Sequence, residues 1–339
     1  MHDEKYDVVI VGGGPSGLYS SFSCGVRQLK IKLLEARPTL GGRIPLYQEQ
    51  LIWDVAGSQG KLGSEIANNL VAGAKHFPAD ITLNQSVTKI SKTSSDFVLT
   101  TQDDTTYLAK TVILAASSGI IHPRKLKLKE NDGFDNLHYI ATELIKFDAY
   151  VNKTVLIYGN PESLTEYAIL LQKIAKTVIL VTKKAHFSDV SVFLDNVIIY
   201  TNTDIDAFKS TESVISEVAL SNGSRLEVSE ILVHLGTKYE SKAITFENFD
   251  VTMLDQNGHS FIQNNPDTST NIAGLFVVGS LGAYEGKHYN LAACLSEATK
   301  AATQVAVYLD DTVVEQLSVS THNEVFKAKS QAIKANYFN

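Results

Sequence analysis

Short apolar runs alternate along this chain with longer stretches of helical period. Residues 8–11 are all β-branched, the mark of a strand buried on both faces. They run into Gly12-x-Gly14-x-x-Gly17 and an apolar helical stretch, and a second short strand, 31–34, ends on Glu35. Residues 44–57 have no clean period and read as an active-site loop, and a helix is predicted over 62–75. A β-meander is predicted over 81–88, 97–101 and 105–108, with a buried strand at 111–115. At residue 154 the opening pattern begins again: strand 154–158, a turn at Gly159, helix 163–175 and strand 177–181. Short strands fill 197–235, strand 275–278 ends at Gly279-Ser280, and helices are predicted over 290–309 and in the last stretch of the tail. Strands alternating with helices predict an α/β fold with parallel sheets.

The opening unit carries the clearest chemistry. Gly12 permits a tight turn out of the strand, Gly14 lets a pyrophosphate approach the backbone, and Gly17 lets helix and strand pack closely. The helix then points its free N–H groups and positive dipole end at the phosphates. Glu35, 23 residues after Gly12, is placed to accept hydrogen bonds from ribose hydroxyls. Strand before, helix after and acid at this distance define a dinucleotide-binding βαβ unit, with Gly12, Gly14, Pro15, Ser16, Gly17 and Glu35 as cofactor-binding candidates.

The second unit repeats the first with changes. Its turn is Gly159-Asn160-Pro161-Glu162-Ser163-Leu164, so proline stands at the middle glycine and leucine at the last. Proline removes a backbone N–H that could face a phosphate, and leucine is expected to hold helix and strand apart. Proline also suits the first turn of a helix. Lys183 falls 24 residues after Gly159 and is followed by Lys184. Cations there suit a ribose 2′-phosphate, hence NADPH rather than NADH. Two readings stay open: a nicotinamide-binding unit, or a retained scaffold whose site is weakened or lost.

Composition narrows the function classes. A length of 339 residues fits two domains, and 44% hydrophobic with 20% charged residues fits a globular protein. A net charge of −7 argues against nucleic-acid binding. No apolar run approaches a membrane span, and the N-terminus lacks a signal peptide's apolar core, so the expected location is cytoplasmic without membrane association. Cys24 and Cys294 form no C-x-x-C pair and read as packing residues, which disfavours a dithiol relay. The stretch 119–130 is rich in basic residues alternating with leucine, either a solvated strand face or a docking patch for an acidic electron carrier.

The opening stretch with Leu40-Gly41-Gly42-Arg43 resembles the FAD-binding start of the two-dinucleotide-domain flavoprotein reductases. The whole chain resembles one subgroup, the thioredoxin-reductase-like ferredoxin–NADP reductases of bacteria. The resemblance rests on VVIVGGGPSGL, LLEARPTLGGR, LIWDVAG, HPRKLKL, NLHY and YEGK, and on the missing C-x-x-C near residues 139–142. It implies two Rossmann-like domains of three-layer ββα type. A discontinuous FAD domain (1–118 and 245–339) would hold an inserted NAD(P)H domain (119–244). It further implies that Ser16 and Glu35 contact the adenosine diphosphate part of FAD, Arg43 lies beside FAD, and Tyr47 stacks on the flavin. Val87 would meet the adenine by its backbone, and Ile121 would sit near the flavin. Thr321 would cover the flavin in the direction of the partner subunit of a homodimer. Gly159, Lys183 and Lys184 would serve NADPH.

The chain departs from the family pattern at three places. Gly279-Ser280 replaces Gly-Asp near the flavin's ribityl chain, Val319 stands where an aromatic or histidine often shields the flavin, and Thr182-Lys183-Lys184 replaces His-Arg-Arg. Lysine is a point charge without arginine's bidentate fork. The expected activity is hydride transfer from NADPH to FAD and single-electron delivery to a ferredoxin or flavodoxin. No side-chain acid or base is required and no catalytic residue or metal is assigned. The alternative is an FAD-binding sensor or binding protein that does not use NADPH.

Overall fold

The computed structural model describes residues 4–117, 119–128, 133–140, 143–240, 244–256, 259–313 and 326–335. The chain divides into two units. The first takes Met1–Pro38, Leu70–Ser118 and Lys242–Asn339, and the second takes Thr39–Asn69 and Gly119–Ser241.

The first unit is built on one large sheet. Its strands run in the order Thr245–Glu247, Val87–Lys92, Phe97–Thr101, Thr106–Leu114, Lys5–Val11, Ile31–Leu34, Ala79–Thr82, and Leu275–Val277 also pairs with Thr106–Leu114. Lys5–Val11 is flanked in parallel on both sides, by Ile31–Leu34 and Thr106–Leu114. That central place explains why Val8, Val9 and Ile10 are all fully buried and why the run is apolar instead of alternating. Helix α1 (Pro15–Val26) turns small residues inward, among them Gly17, Ser20, Ser21 and Cys24. Among the helices of this unit, α4 (Leu291–Leu309), with its own buried alanines 298, 301, 302 and 306, is the one that packs against it.

The second unit has three layers. Its parallel sheet runs Leu137–Tyr139, Glu230–His234, Thr154–Gly159, Thr177–Val181, Val197–Tyr200. Alternate residues face opposite ways, as the two-residue period of a strand requires. Val155 and Ile157 pack with Leu164, Ala168 and Leu171 of helix α3 (Pro161–Leu171). Leu156 and Tyr158 pack with Ile205, Ile215 and Val218 of a three-stranded antiparallel sheet.

The structure redraws several expected boundaries. The strand predicted over 81–88 is two strands, Ala79–Thr82 and Val87–Lys92, with Asn84 between them at φ 57°. Asparagine tolerates this left-handed conformation, and an apolar run cannot signal the break. The strands predicted over 105–108 and 111–115 are one, Thr106–Leu114. In the basic stretch only Ile120–Pro123 is a strand, paired with Thr237–Glu240, although Leu126 beyond it is still buried. Among the described residues no helix is long and apolar enough to cross a membrane.

The edge strand Leu137–Tyr139 carries a charge cluster. His138 lies 3.4 Å from Glu143 and 3.2 Å from Glu230, and Lys153 pairs with Glu230 at 2.6 Å. The hydrogen bond to Glu143 holds the imidazole pKa above its ordinary 6.5, against burial, which lowers it; Glu230 adds to the rise. A pKa raised by folding stabilises the folded state fully below the unfolded value, and that stabilisation is lost as pH rises through the folded value. His138→Gln is therefore expected to lower the melting temperature by about 2 °C at pH 6 and by less at pH 9. Thermal scans at both pH values check this; an equal gap at both would rule out the His138 cluster as its source.

Candidate dinucleotide sites

At the first glycine turn two positions admit no side chain. Gly12 has φ +107°, and a Cβ there would lie 2.8 Å from the carbonyl oxygen of Ala115. A Cβ on Gly17 would lie 1.8 Å from the carbonyl oxygen of Gly12. Helix α1 therefore starts hard against the end of the central strand, with Gly14 as N-cap and Pro15 at its first position. The first-turn amides of such a helix lack intrahelical partners and point back past its start.

Glu35 is buried at the end of Ile31–Leu34. Its Oε2 accepts the Gly13 N–H at 2.6 Å, and its Oε1 accepts the Arg37 N–H at 2.9 Å. Each carboxylate oxygen keeps acceptor capacity beyond these bonds, enough for ribose hydroxyls. The Arg37 guanidinium lies 3.6 Å from Glu35, yet its Nη2 is buried with no hydrogen-bond partner among the described residues. A buried, unsatisfied cationic donor beside a glycine turn is costly unless an acceptor arrives. Phosphate or ribose oxygens would satisfy it, so the residues present fit FAD. Arg37 escaped the sequence reading; its signal is a basic residue two positions after the acid.

Gly279 and Ser280 meet this turn from the other side. A Cβ on Gly279 would lie 2.5 Å from Ser16 Oγ, and Ser280 is exposed. Backbone N–H groups here were expected to face the cofactor. The Gly279 N–H instead donates inward to Glu297 Oε2 at 2.7 Å. Glu297 Oε1 accepts from the Tyr284 hydroxyl at 3.0 Å and from the Lys287 ammonium. The Lys287 and Glu297 side chains are each only 2% exposed. This buried pair holds the turn in place and was invisible in the sequence, where neither residue stands in a motif. Val87 is buried at the start of its strand. Thr321 lies outside the described residues.

Arg43, Tyr47 and Ile121 fold with the second unit. Arg43 is exposed at the start of a short 3-10 helix, Ile44–Tyr47, Tyr47 is half-buried, and Ile121 is buried. The next residue, Gln48, is fully buried. Its Nε2 donates to the carbonyl oxygens of Ile140 (2.7 Å) and Glu143 (2.8 Å), and its Oε1 accepts the Ile145 N–H at 2.7 Å. Glu49 accepts the Tyr167 hydroxyl at 3.0 Å.

The second turn repeats the first in detail. Val11 pairs with Leu34 and Leu114; Tyr158 pairs with Val181 and Val233. Gly159 is thus the counterpart of Gly12, and its Cβ would lie 2.3 Å from the carbonyl oxygen of His234, the counterpart of Ala115. Helix α3 starts three residues after Tyr158, whereas α1 starts four residues after Val11. Counted from the helix start, Pro161 matches Pro15 and Leu164 matches Leu18, both leucines being fully buried. The expectation that Leu164 wedges helix from strand is therefore corrected: it fills the core. What changes is the turn itself, shorter by one residue.

The same register corrects the lysine alignment. Thr182, not Lys183, stands in Glu35's place, and Lys183 and Lys184 follow it. Lys183 makes an ion pair with Asp204 at 2.6 Å; both lysines are exposed. No C-x-x-C exists, and burial pushes the Cys24 thiol up to about 12 and the Cys294 thiol upward.

Comparison with known proteins agrees with this geometry. The family model described as pyridine nucleotide-disulphide oxidoreductase matches residues 6–306. A protein of Bacillus licheniformis named ferredoxin–NADP reductase 1 is 31% identical over 354 residues, covering 99% of each chain. Ferredoxin–NADP reductase 3 of Lysinibacillus sphaericus is 33% identical over 342 residues, covering 97% of this chain and 96% of the other. Among solved structures, thioredoxin reductase of T. acidophilum shares the fold, with TM-score 0.50, 21% identity, and coverage of 92% of this chain and 100% of that one.

Proposed function

The chain belongs to the pyridine nucleotide-disulphide oxidoreductase family, and from that premise we propose that it is an FAD-dependent reductase that uses NADPH and hands electrons to a ferredoxin or flavodoxin. The observation that carries the reading is the first turn, where Glu35 braces Gly13 while a buried Arg37 donor awaits an acceptor. FAD, when bound, supplies the hydride acceptor and the means to release electrons singly. The chain's own part is to bind and orient. The amides after Gly12 receive the pyrophosphate, Glu35 takes the ribose hydroxyls, and Arg37 neutralises a phosphate. The Glu297–Lys287 pair fixes Gly279 against Ser16. No side chain is assigned a proton in this scheme.

The FAD-binding part is assigned to 1–118 and 245–339 and the NADPH-binding part to 119–244, with Arg43, Tyr47, Val87, Ile121 and Thr321 beside FAD as the family resemblance implies. Exposed Arg124, Lys125 and Lys127 are offered as the docking patch for an acidic carrier. A cytoplasmic homodimer completes the proposal. The shortened second turn and the Lys183–Asp204 pair favour a second reading, an FAD protein with little use for NADPH. Anaerobic titration separates the two. NADPH is expected to bleach the yellow holoprotein, and adding oxidised ferredoxin should restore the colour. A flavin band untouched by excess NADPH would sink the reductase assignment.

A further inference from the structure

The internal repeat extends past the lysines, to a residue that neither motif contains. In the first unit Glu35 N–H donates to Thr82, Gln85 N–H donates to Glu35 and Asn84 N–H donates to Arg37. In the second unit Thr182 N–H donates to Tyr200, Thr203 N–H to Thr182 and Asn202 N–H to Lys184. Asn84 and Asn202 even share a left-handed backbone, at φ 57° and 50°. By this register Asp204 is the counterpart of Ser86, and Ile205 the counterpart of Val87. The ribose–adenine end of the second site therefore carries a carboxylate where the first carries a hydroxyl.

That carboxylate is anchored. Asp204 Oδ1 accepts the Tyr158 hydroxyl and the Ile205 N–H, while Oδ2 holds Lys183. Burial pushes the Asp204 pKa up, but Lys183, Tyr158 and the Ile205 N–H outweigh it and hold it below the ordinary carboxylate range. Asp204 is thus charged at neutral pH, and it faces the ammonium that would meet a 2′-phosphate.

Resting on the reading of the second unit as a nicotinamide-dinucleotide site, we infer that Asp204 is a specificity-determining residue that occupies Lys183 and repels a 2′-phosphate, so that the protein discriminates weakly between NADPH and NADH. Thr182 removes the acid that would select NADH, and Asp204 takes back part of the charge that would select NADPH. The pair leaves Lys184 as the cation without an ion-pair partner among the described residues at this corner.

The test measures binding of NADP⁺ and NAD⁺ to the FAD-loaded protein by calorimetry, in wild type, Asp204→Asn and Lys183→Met. Asparagine still accepts from Tyr158 and Ile205, so the fold is retained. Asp204→Asn is expected to raise the NADP⁺ to NAD⁺ preference about three- to ten-fold, through NADP⁺ alone, with the gain shrinking as salt is added. Lys183→Met is expected to lower the preference below that of the wild type. NADP⁺ binding with a preference unmoved in Asp204→Asn overturns the inference and leaves the nicotinamide reading standing. Should Asp204→Asn not fold, a preference unmoved in Lys183→Met overturns it equally. A wild-type protein that binds neither nucleotide overturns both.

Discussion

A Gly17→Ala variant is expected to emerge from purification without flavin and with its first unit destabilised by at least about 3 kcal/mol. The added methyl would sit 1.8 Å from the Gly12 carbonyl oxygen, far inside contact distance, and the obstacle is backbone, not a side chain that could swing away. Relief requires moving α1 away from the central strand. That shift would carry off the first-turn amides, and with them the close approach the pyrophosphate needs. Gly73→Ala in α2 (Gly63–Ala74) is the control: nothing lies within 4 Å of its Cβ, and alanine is the better helix former. The flavin-to-protein absorbance ratio and a thermal scan give the answer. A Gly17→Ala protein as yellow and as heat-stable as the control would contradict the packing argued for this turn.

Lys287→Met is expected to be the costliest single change away from the glycine turns, about 3–5 kcal/mol, or on the order of 5–10 °C in melting temperature. Lys287 and Glu297 are each 2% exposed at the side chain, so removing the ammonium strands a carboxylate in a dry interior. The loss does not stay local, because the same carboxylate holds the Gly279 N–H beside Ser16. Weaker flavin retention should accompany the lower melting temperature. The double variant Lys287→Met with Glu297→Leu should recover part of the stability, since no charge is then buried, but not all of it, since Gly279 N–H loses its acceptor. A single variant melting within a degree of wild type would mean the pair is solvated.

The parts of the site that depend on local backbone demands were legible in the sequence. Gly12, Gly17 and Glu35 are forced by a turn, a close approach and a strand end within one βαβ unit, and Gly159 repeats the same demand against His234. The parts made by side chains meeting across the fold were not. Lys183 and Asp204 are 21 residues apart with two strands' worth of chain between them, and no period or spacing announces their contact. Arg37 was passed over because its significance lies in an unsatisfied buried atom, a property of packing. The lysine alignment slipped by one residue because counting along the chain ignores the shorter second turn, whereas strand register does not.

Gln48 bears on how the molecule can be taken apart. Its amide satisfies Ile140, Glu143 and Ile145 at once, and all three belong to the stretch that would be cut out as a continuous module. A fragment beginning at residue 119 would leave two carbonyls and an amide without their partner, along with the Tyr167 hydroxyl that Glu49 receives. The natural seam of the chain is therefore not the sequence boundary near 119. Any excised second half must bring residues 39–69 with it, grafted or supplied as a peptide, and the loop bearing Tyr47 travels with that half.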